Sequence, residues 1–219
     1  MDYVLLDDAG EIIEPVFHYR DPRTSDGEKA ALARVDWPTL FAETGIQYMM
    51  LNTSIQLCAE PPGRLAKAAR LLTVADAINH LLSGAGKIEV SMASTTELYN
   101  PRLANWSDKL IDALDLPRAL FPEVVDSGTL LGPLNSDLAV ETGLAGLNVV
   151  ASLSHDTASA VAAVPAEDEH WAYISSGTWS LMGLELSEPI LTDACRELNF
   201  TNEIGHGGSI RLLKNIVGF

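Results

Sequence analysis

The stretch from Leu147 to Ala163 constrains the fold more than any other. Leu147-Asn148-Val149-Val150-Ala151-Ser152-Leu153 is a short apolar run, Ser154-His155-Asp156-Thr157 is a polar turn, and residues 158–163 are small and helix-compatible. Strand, polar turn and small-residue helix in that order belong to an α/β architecture. The turn then sits at the carboxyl end of a strand, where α/β sheets take their ligands. A second unit follows: residues 171–174 read as a strand, Ser175-Ser176-Gly177-Thr178 as a tight turn, and residues 179–185 as a returning strand. The charged link Glu167-Asp168-Glu169 between the units predicts a domain boundary, with residues 1–166 on one side and 167–219 on the other.

The rest of the chain reads as mixed helix and strand. Residues 3–6 and 11–16 flank the turn Asp7-Asp8-Ala9-Gly10 and predict a β-hairpin. Helices are expected over 25–35 and 37–44, broken at Trp37-Pro38 because proline suits a first helical turn. A further helix begins near Asn52 and stops at Pro61-Pro62. Residues 66–82 read as one or two helices closed by Ser83-Gly84, and 94–98 and 107–114 as two more, the second capped near Ser107. Asp126 to Leu134 reads as a loop, and Ile210 to Phe219 as the start of a helix.

Charge and cysteine usage exclude several function classes. Lys and Arg total 14 against 30 Asp and Glu, a net charge of -16. Such a surface repels nucleic acid and anionic membranes, so an anionic substrate must be held by local donors. Cys58 and Cys195 have no metal-site or disulfide spacing and read as reduced thiols. No apolar run approaches the roughly 18 residues of a membrane span, and the opening residues are no signal peptide, so the expected compartment is the cytoplasm. Nothing in the sequence sets an oligomeric state.

Two turns carry the candidate chemistry. Asp156, at the mouth of a strand, can take a proton from a hydroxyl nucleophile. The same residue also suits a plain helix cap, and His155 a turn histidine bonded to backbone. Ser154, His155 and Asp156 are no hydrolase triad, because sequence neighbours cannot converge on one another. Ser175-Ser176-Gly177-Thr178 can present N–H and O–H groups to a phosphate or simply close a hairpin. It has no Gly-Lys-Thr and is not a Walker A loop.

Seven strings in order are similar to the rhamnulokinases of the FGGY carbohydrate kinase family. They are residues 2–7 (DYVLLD), 19–24 (YRDPRT), 44–47 (TGIQ), 93–98 (ASTTEL), 155–161 (HDTASAV), 173–183 (YISSGTWSLMG) and 213–216 (LKNI). The resemblance implies a ribonuclease-H-like, actin-like ATPase fold, two domains around a cleft, with sugar mainly on the first and ATP mainly on the second. It implies transfer of phosphate from ATP, with Mg²⁺, to L-rhamnulose. It makes Asp156 the catalytic base, sets His155, Thr157 and Asp2 against the ketose, and sets Gly177, Thr178 and Asn215 against the nucleotide. A kinase for another ketose or polyol, or a sugar-binding remnant without catalysis, fits the same strings. The family's Asp-x-Gly phosphate turn and its Gly-rich adenosine motif have no counterpart in the sequence. The expectation is therefore a central, incomplete piece of a two-domain kinase, inactive alone.

Overall fold

The computed structural model describes residues 1–168, 170–177 and 179–217. Strand β1 (Tyr3–Leu6) is buried along its length and runs antiparallel to β2 (Arg70–Thr73), with Tyr3 opposite Thr73 and Leu6 opposite Arg70. The expected hairpin from 3–6 to 11–16 is reduced to a bridge between Leu6 and Ile12. The partner of β1 comes from residues expected to be helical. A four-residue strand, Arg-Leu-Leu-Thr, is too short for its period to differ from that of a helix, and its pairing is decided 67 positions away.

The helices that follow have visible local causes. Helix α1 spans Thr24–Leu32. Helix α2 (Trp37–Thr44) starts on Asp36, whose carboxylate accepts from Thr39 N–H at 2.9 Å, carries a proline in its first turn, and ends on Gly45 at φ +70°. A Cβ on Gly45 would lie 2.5 Å from Leu191 and 2.9 Å from the Asn202 side chain, so only glycine fits there. Helices α3 (Thr53–Cys58) and α4 (Pro62–Leu65) lie on either side of Pro61, and α5 (Val74–Ser83) closes on Gly84 in the left-handed region. Of the expected helix at 94–98, residues 95–98 are not helical. The helix there is α6 (Val90–Ser94), which follows β3 (Ile88–Glu89), and Glu97 stands at φ +62°.

A short antiparallel pair, β4 (Tyr99–Asn100) and β5 (Asn105–Trp106), leads into α7 (Asp108–Ala113), capped by Ser107 as expected. Strand β6 (Val124–Val125) runs parallel to β3. The expected loop at 126–134 contains β7 (Leu130–Pro133), which, past helix α8 (Ser136–Thr142), pairs antiparallel with β8 (Asn148–Val150). That ribbon is half exposed, with Leu130 at 61% and Val150 at 46%, so the apolar run before the polar turn does not enter the main core. Helix α9 (Asp156–Ala162) follows.

Strands β9 (Tyr173–Ser176) and β10 (Trp179–Leu186) form the expected hairpin. Past α10 (Asp193–Glu197), strands β11 (Thr201–Ile204) and β12 (Ile210–Val217) complete an antiparallel sheet in the order β11-β12-β10-β9. The segment from Ile210 is therefore a strand, not a helix. It is central to its sheet and buried on both faces from Ile210 to Leu213, which removes the alternation that marks a strand.

The main core gathers Leu5, Leu6, Leu40, Ile55, Leu57, Leu71, Leu72 and Ile88, and extends into the last sheet through Ile204 and Ile210. Each such side chain is worth about 1.5–3 kcal/mol on burial. Polar contacts seat the same sheet. Asn202 N–H donates to the Gly45 carbonyl at 2.8 Å, and Ile204 N–H to Ser94 Oγ at 3.0 Å. Among the described residues, no helix is long and apolar enough to cross a membrane.

Candidate functional site

A cavity of about 550 Å³ opens between the polar turn before α9 and the sheet β9–β12. One wall carries His155, Asp156 and Thr157. The other carries Ser175, Ser176, Gly177, Trp179 and Asn215, and Thr201 and Glu203 of β11 join it. The floor includes Tyr19, Asn52 and Thr95. No Lys or Arg is among the lining residues.

Burial and hydrogen bonds fix the first wall. His155 is the N-cap of α9, its Nδ1 accepting from Ala158 N–H at 3.4 Å. Burial holds the imidazole below its ordinary value, against the pull of the nearby Glu203, Asp156 and Glu89 carboxylates and with help from Arg211. The neutral ring, accepting at Nδ1, carries its proton on Nε2. Asp156 is the first helical residue and not the cap. One of its oxygens takes Thr157 N–H at 2.8 Å, and its side chain is fully exposed at the cavity. Thr157 is buried.

The turn is tied down from behind by Glu89, at the end of β3. Its carboxyl group accepts from Ser91 N–H (3.1 Å), Ser91 Oγ, Ser127 Oγ (2.6 Å) and Ser154 N–H (3.3 Å). Ser91 Oγ in turn accepts from His155 N–H at 3.2 Å. Glu89 carries no local signal, because it acts on a turn 65 residues later.

The other expected site residues fall differently. Asn215 lines the second wall and donates to Gln47 Oε1 at 2.9 Å, joining the sheet to the segment after α2. Gly177 lines it as well, its N–H donating to Trp179 O at 2.8 Å, and a Cβ placed there would lie 3.9 Å from that oxygen. Thr178 lies outside the described residues. Asp2 is not a lining residue. Its carboxylate accepts from Tyr19 N–H at 2.7 Å and so orders a neighbour that does line the cavity. Thr201 and Glu203 were missed. They lie in a strand of four buried residues whose sequence, Thr-Asn-Glu-Ile, marks neither a core strand nor a site.

Residues 1–163 match the N-terminal domain of the FGGY family of carbohydrate kinases. The chain belongs to that family. It is 38% identical to a rhamnulokinase of Enterococcus faecalis and 40% identical to one of Bacteroides thetaiotaomicron, over 100% of its own length in each case. It spans 44% and 46% of those relatives, about half the length of the curated proteins it matches. Among solved structures it is similar to a ligand-bound xylulose kinase from Lactobacillus acidophilus, with a TM-score of 0.84, 15% identity, and 97% of this chain and 43% of that one covered. A glycerol kinase from Plasmodium falciparum with ADP gives a TM-score of 0.81 at 14% identity, covering 99% and 45%. At such identities the likeness shows the fold alone: the actin-like ATPase fold of FGGY sugar kinases.

Proposed function

We propose that this chain carries the sugar-side cleft of an ATP-dependent kinase that converts L-rhamnulose to L-rhamnulose 1-phosphate. The observation that carries the reading is Asp156. Its carboxylate, held by Thr157 N–H, is exposed at the edge of the cavity, one residue from a neutral buried histidine and across from a turn of small hydroxyl residues. In that role Asp156 accepts the proton of the sugar's primary hydroxyl as its oxygen attacks the γ-phosphorus in line and ADP leaves. His155 and Thr157 hold the ketose. Ser176 and the backbone at Gly177 face the phosphates, with Thr178 assigned there by resemblance, and Asn215 faces the nucleotide. In this reading residues 1–166 form the sugar-side domain, 167–219 begin the nucleotide-side domain, and Asp2 contributes by ordering Tyr19.

The lining fits a nucleotide that brings its own counter-ion. With no Lys or Arg in the wall, phosphate charge would be met by Mg²⁺, which uses one or two carboxylates together with phosphate oxygens. Asp156, kept free as the base, and Glu203, paired with Arg211, are the carboxylates that line the cavity. No cluster of three His, Cys, Asp or Glu residues able to hold a metal occurs among the described residues, so the ion would be held chiefly by the nucleotide.

The test uses the full-length protein and follows ADP release with L-rhamnulose, D-xylulose and glycerol. L-Rhamnulose is expected to be the preferred acceptor. Asp156→Asn should reduce kcat by about 10²–10⁴-fold and leave ketose binding in place. Near-normal turnover in Asp156→Asn would remove the base assignment, and preference for another acceptor would remove the rhamnulose assignment.

A further inference from the structure

Glu203 is held on one side and open on the other. Its Oε2 accepts from Nη2 of Arg211 at 2.8 Å, and Arg211 is fully buried. The same oxygen lies 3.7 Å from His155 Nε2. That separation is too long for a hydrogen bond, yet one oxygen atom can sit within about 2.8 Å of both ends. With its proton on Nε2, His155 offers a donor to such an atom, and Glu203 offers an acceptor. A hydroxyl group satisfies both at once, accepting from the imidazole and donating to the carboxylate. Thr201, two residues earlier on the same face of β11, also lines the cavity, and its buried hydroxyl has no partner among the described residues.

We propose that Glu203 is a specificity-determining residue that takes one ketose hydroxyl between its carboxylate and His155 Nε2. This rests on the reading of the cavity as a sugar-kinase site. A purely structural Glu203 would serve only to neutralise Arg211. It would leave the gap to His155 unused, and the bound sugar would be insensitive to its length and charge. In the proposed arrangement Arg211 keeps the carboxylate in place before the sugar arrives, so the subsite is preformed. A substrate lacking the bridging hydroxyl leaves the buried imidazole N–H without an acceptor and the carboxylate with Arg211 alone, and a polar site that loses a partner in this way selects strongly against such a substrate.

The experiment measures calorimetric Kd values of the full-length protein for the preferred ketose and a series of its singly deoxygenated analogues. The unaltered protein should lose about tenfold or more in affinity for one analogue, as expected for a hydrogen bond to a charged group. Glu203→Gln should abolish most of that discrimination and leave the ratios for the other analogues unchanged. Glu203→Asp, which keeps a charge for Arg211 but withdraws the carboxylate by one methylene, should do the same and guards against a folding defect in the first variant. Discrimination identical to the unaltered protein in both variants overturns the subsite while the sugar-kinase reading stands. If the unaltered protein binds no ketose, the sugar-kinase reading fails and the subsite with it.

Discussion

The two walls of the cavity are built on opposite plans. The wall carrying His155 and Asp156 is backed by a buried carboxyl group, Glu89, that gathers backbone and hydroxyl donors from three separate segments. The wall carrying Ser175 to Gly177 is a hairpin end. Ser176 and Gly177 are exposed, and among the described residues the bonds beyond the strand ladder are Gly177 N–H to Trp179 O and a 3.2 Å contact between the Ser176 and Ser180 hydroxyls. In the proposed reading the first wall holds a general base, which must stay within hydrogen-bond reach of the hydroxyl it deprotonates, and the second meets phosphates through small groups that can adjust when they arrive. On that reading precision is concentrated on the sugar side and compliance on the phosphate side.

The largest effect should come from Glu89→Gln, which keeps the side chain's size. Whichever way the amide lies, one former acceptor becomes an N–H facing donors. Serine hydroxyls can turn and accept instead, but Ser91 N–H and Ser154 N–H cannot. A buried polar group left without its partner costs about 1–3 kcal/mol, more where a charged group was involved. A loss of about 2–3 kcal/mol in urea denaturation is expected, together with a fall in kcat as the His155-Asp156 turn loosens. Unchanged stability would mean the first wall does not depend on its buried acid, and the contrast with the hairpin would collapse.

How much of this was legible in the sequence follows the range of the interactions. Helix α2 was readable to the residue because Asp36, Pro38 and Gly45 each act within one turn. The hairpin β9–β10 and the polar turn before α9 were readable for the same reason. The order of the family strings located Asp156 and Asn215, which both line the cavity. What stayed hidden acts at long range. Strand β2 is defined by β1, and β12 by neighbours on both sides. Arg211 illustrates the second case. Its charge suggests a solvent-facing position on a helix, yet it is fully buried because Glu203 lies opposite it on β11. Glu89 and Glu203 escaped notice because a carboxylate's role depends on which donors the fold brings to it.

An effect confined to a pH window distinguishes two buried acids near the cavity. Glu97, fully buried, accepts from Ser54 Oγ, where Glu89 gathers several donors. Burial, only partly offset by Ser54 and Asn52, pushes the Glu97 carboxyl up from 4.5 to about 8. In the unfolded chain the proton leaves near 4.5, whereas the folded protein retains it until about 8. The folded state therefore binds more protons across that window, and stability falls as pH rises through it. At about 1.4 kcal/mol per unit of difference, the loss is on the order of a few kcal/mol between pH 4.5 and 8. Glu97→Gln, which preserves an acceptor for Ser54, should remove this slope and be the more stable form at pH 8. Parallel slopes for the two proteins in urea titrations at several pH values would show that Glu97 is as well satisfied as Glu89.

The smallest effect tests the compliant wall directly. Ser176 lines the cavity, its side chain is exposed, and among the described residues its one side-chain hydrogen bond is with Ser180, half-buried on the same hairpin. Ser176→Ala leaves the β9–β10 ladder intact, since Ser176 pairs with Ser180 through backbone. Removing an exposed hydroxyl from a turn changes stability by no more than about 0.5 kcal/mol. If that hydroxyl donates to a phosphate oxygen, the same substitution should weaken MgATP by about tenfold in the full-length protein, because bonds to charged groups are worth about 1.5–3 kcal/mol, and leave ketose affinity unchanged. The pairing of a negligible stability effect with a selective nucleotide effect marks a wall that is organised by its ligand. A marked loss of stability in Ser176→Ala would show that the hairpin end is as firmly built as the turn at His155. Equal weakening of both substrates would show that the two walls move together, and the division between a rigid sugar side and a yielding phosphate side would have to be abandoned.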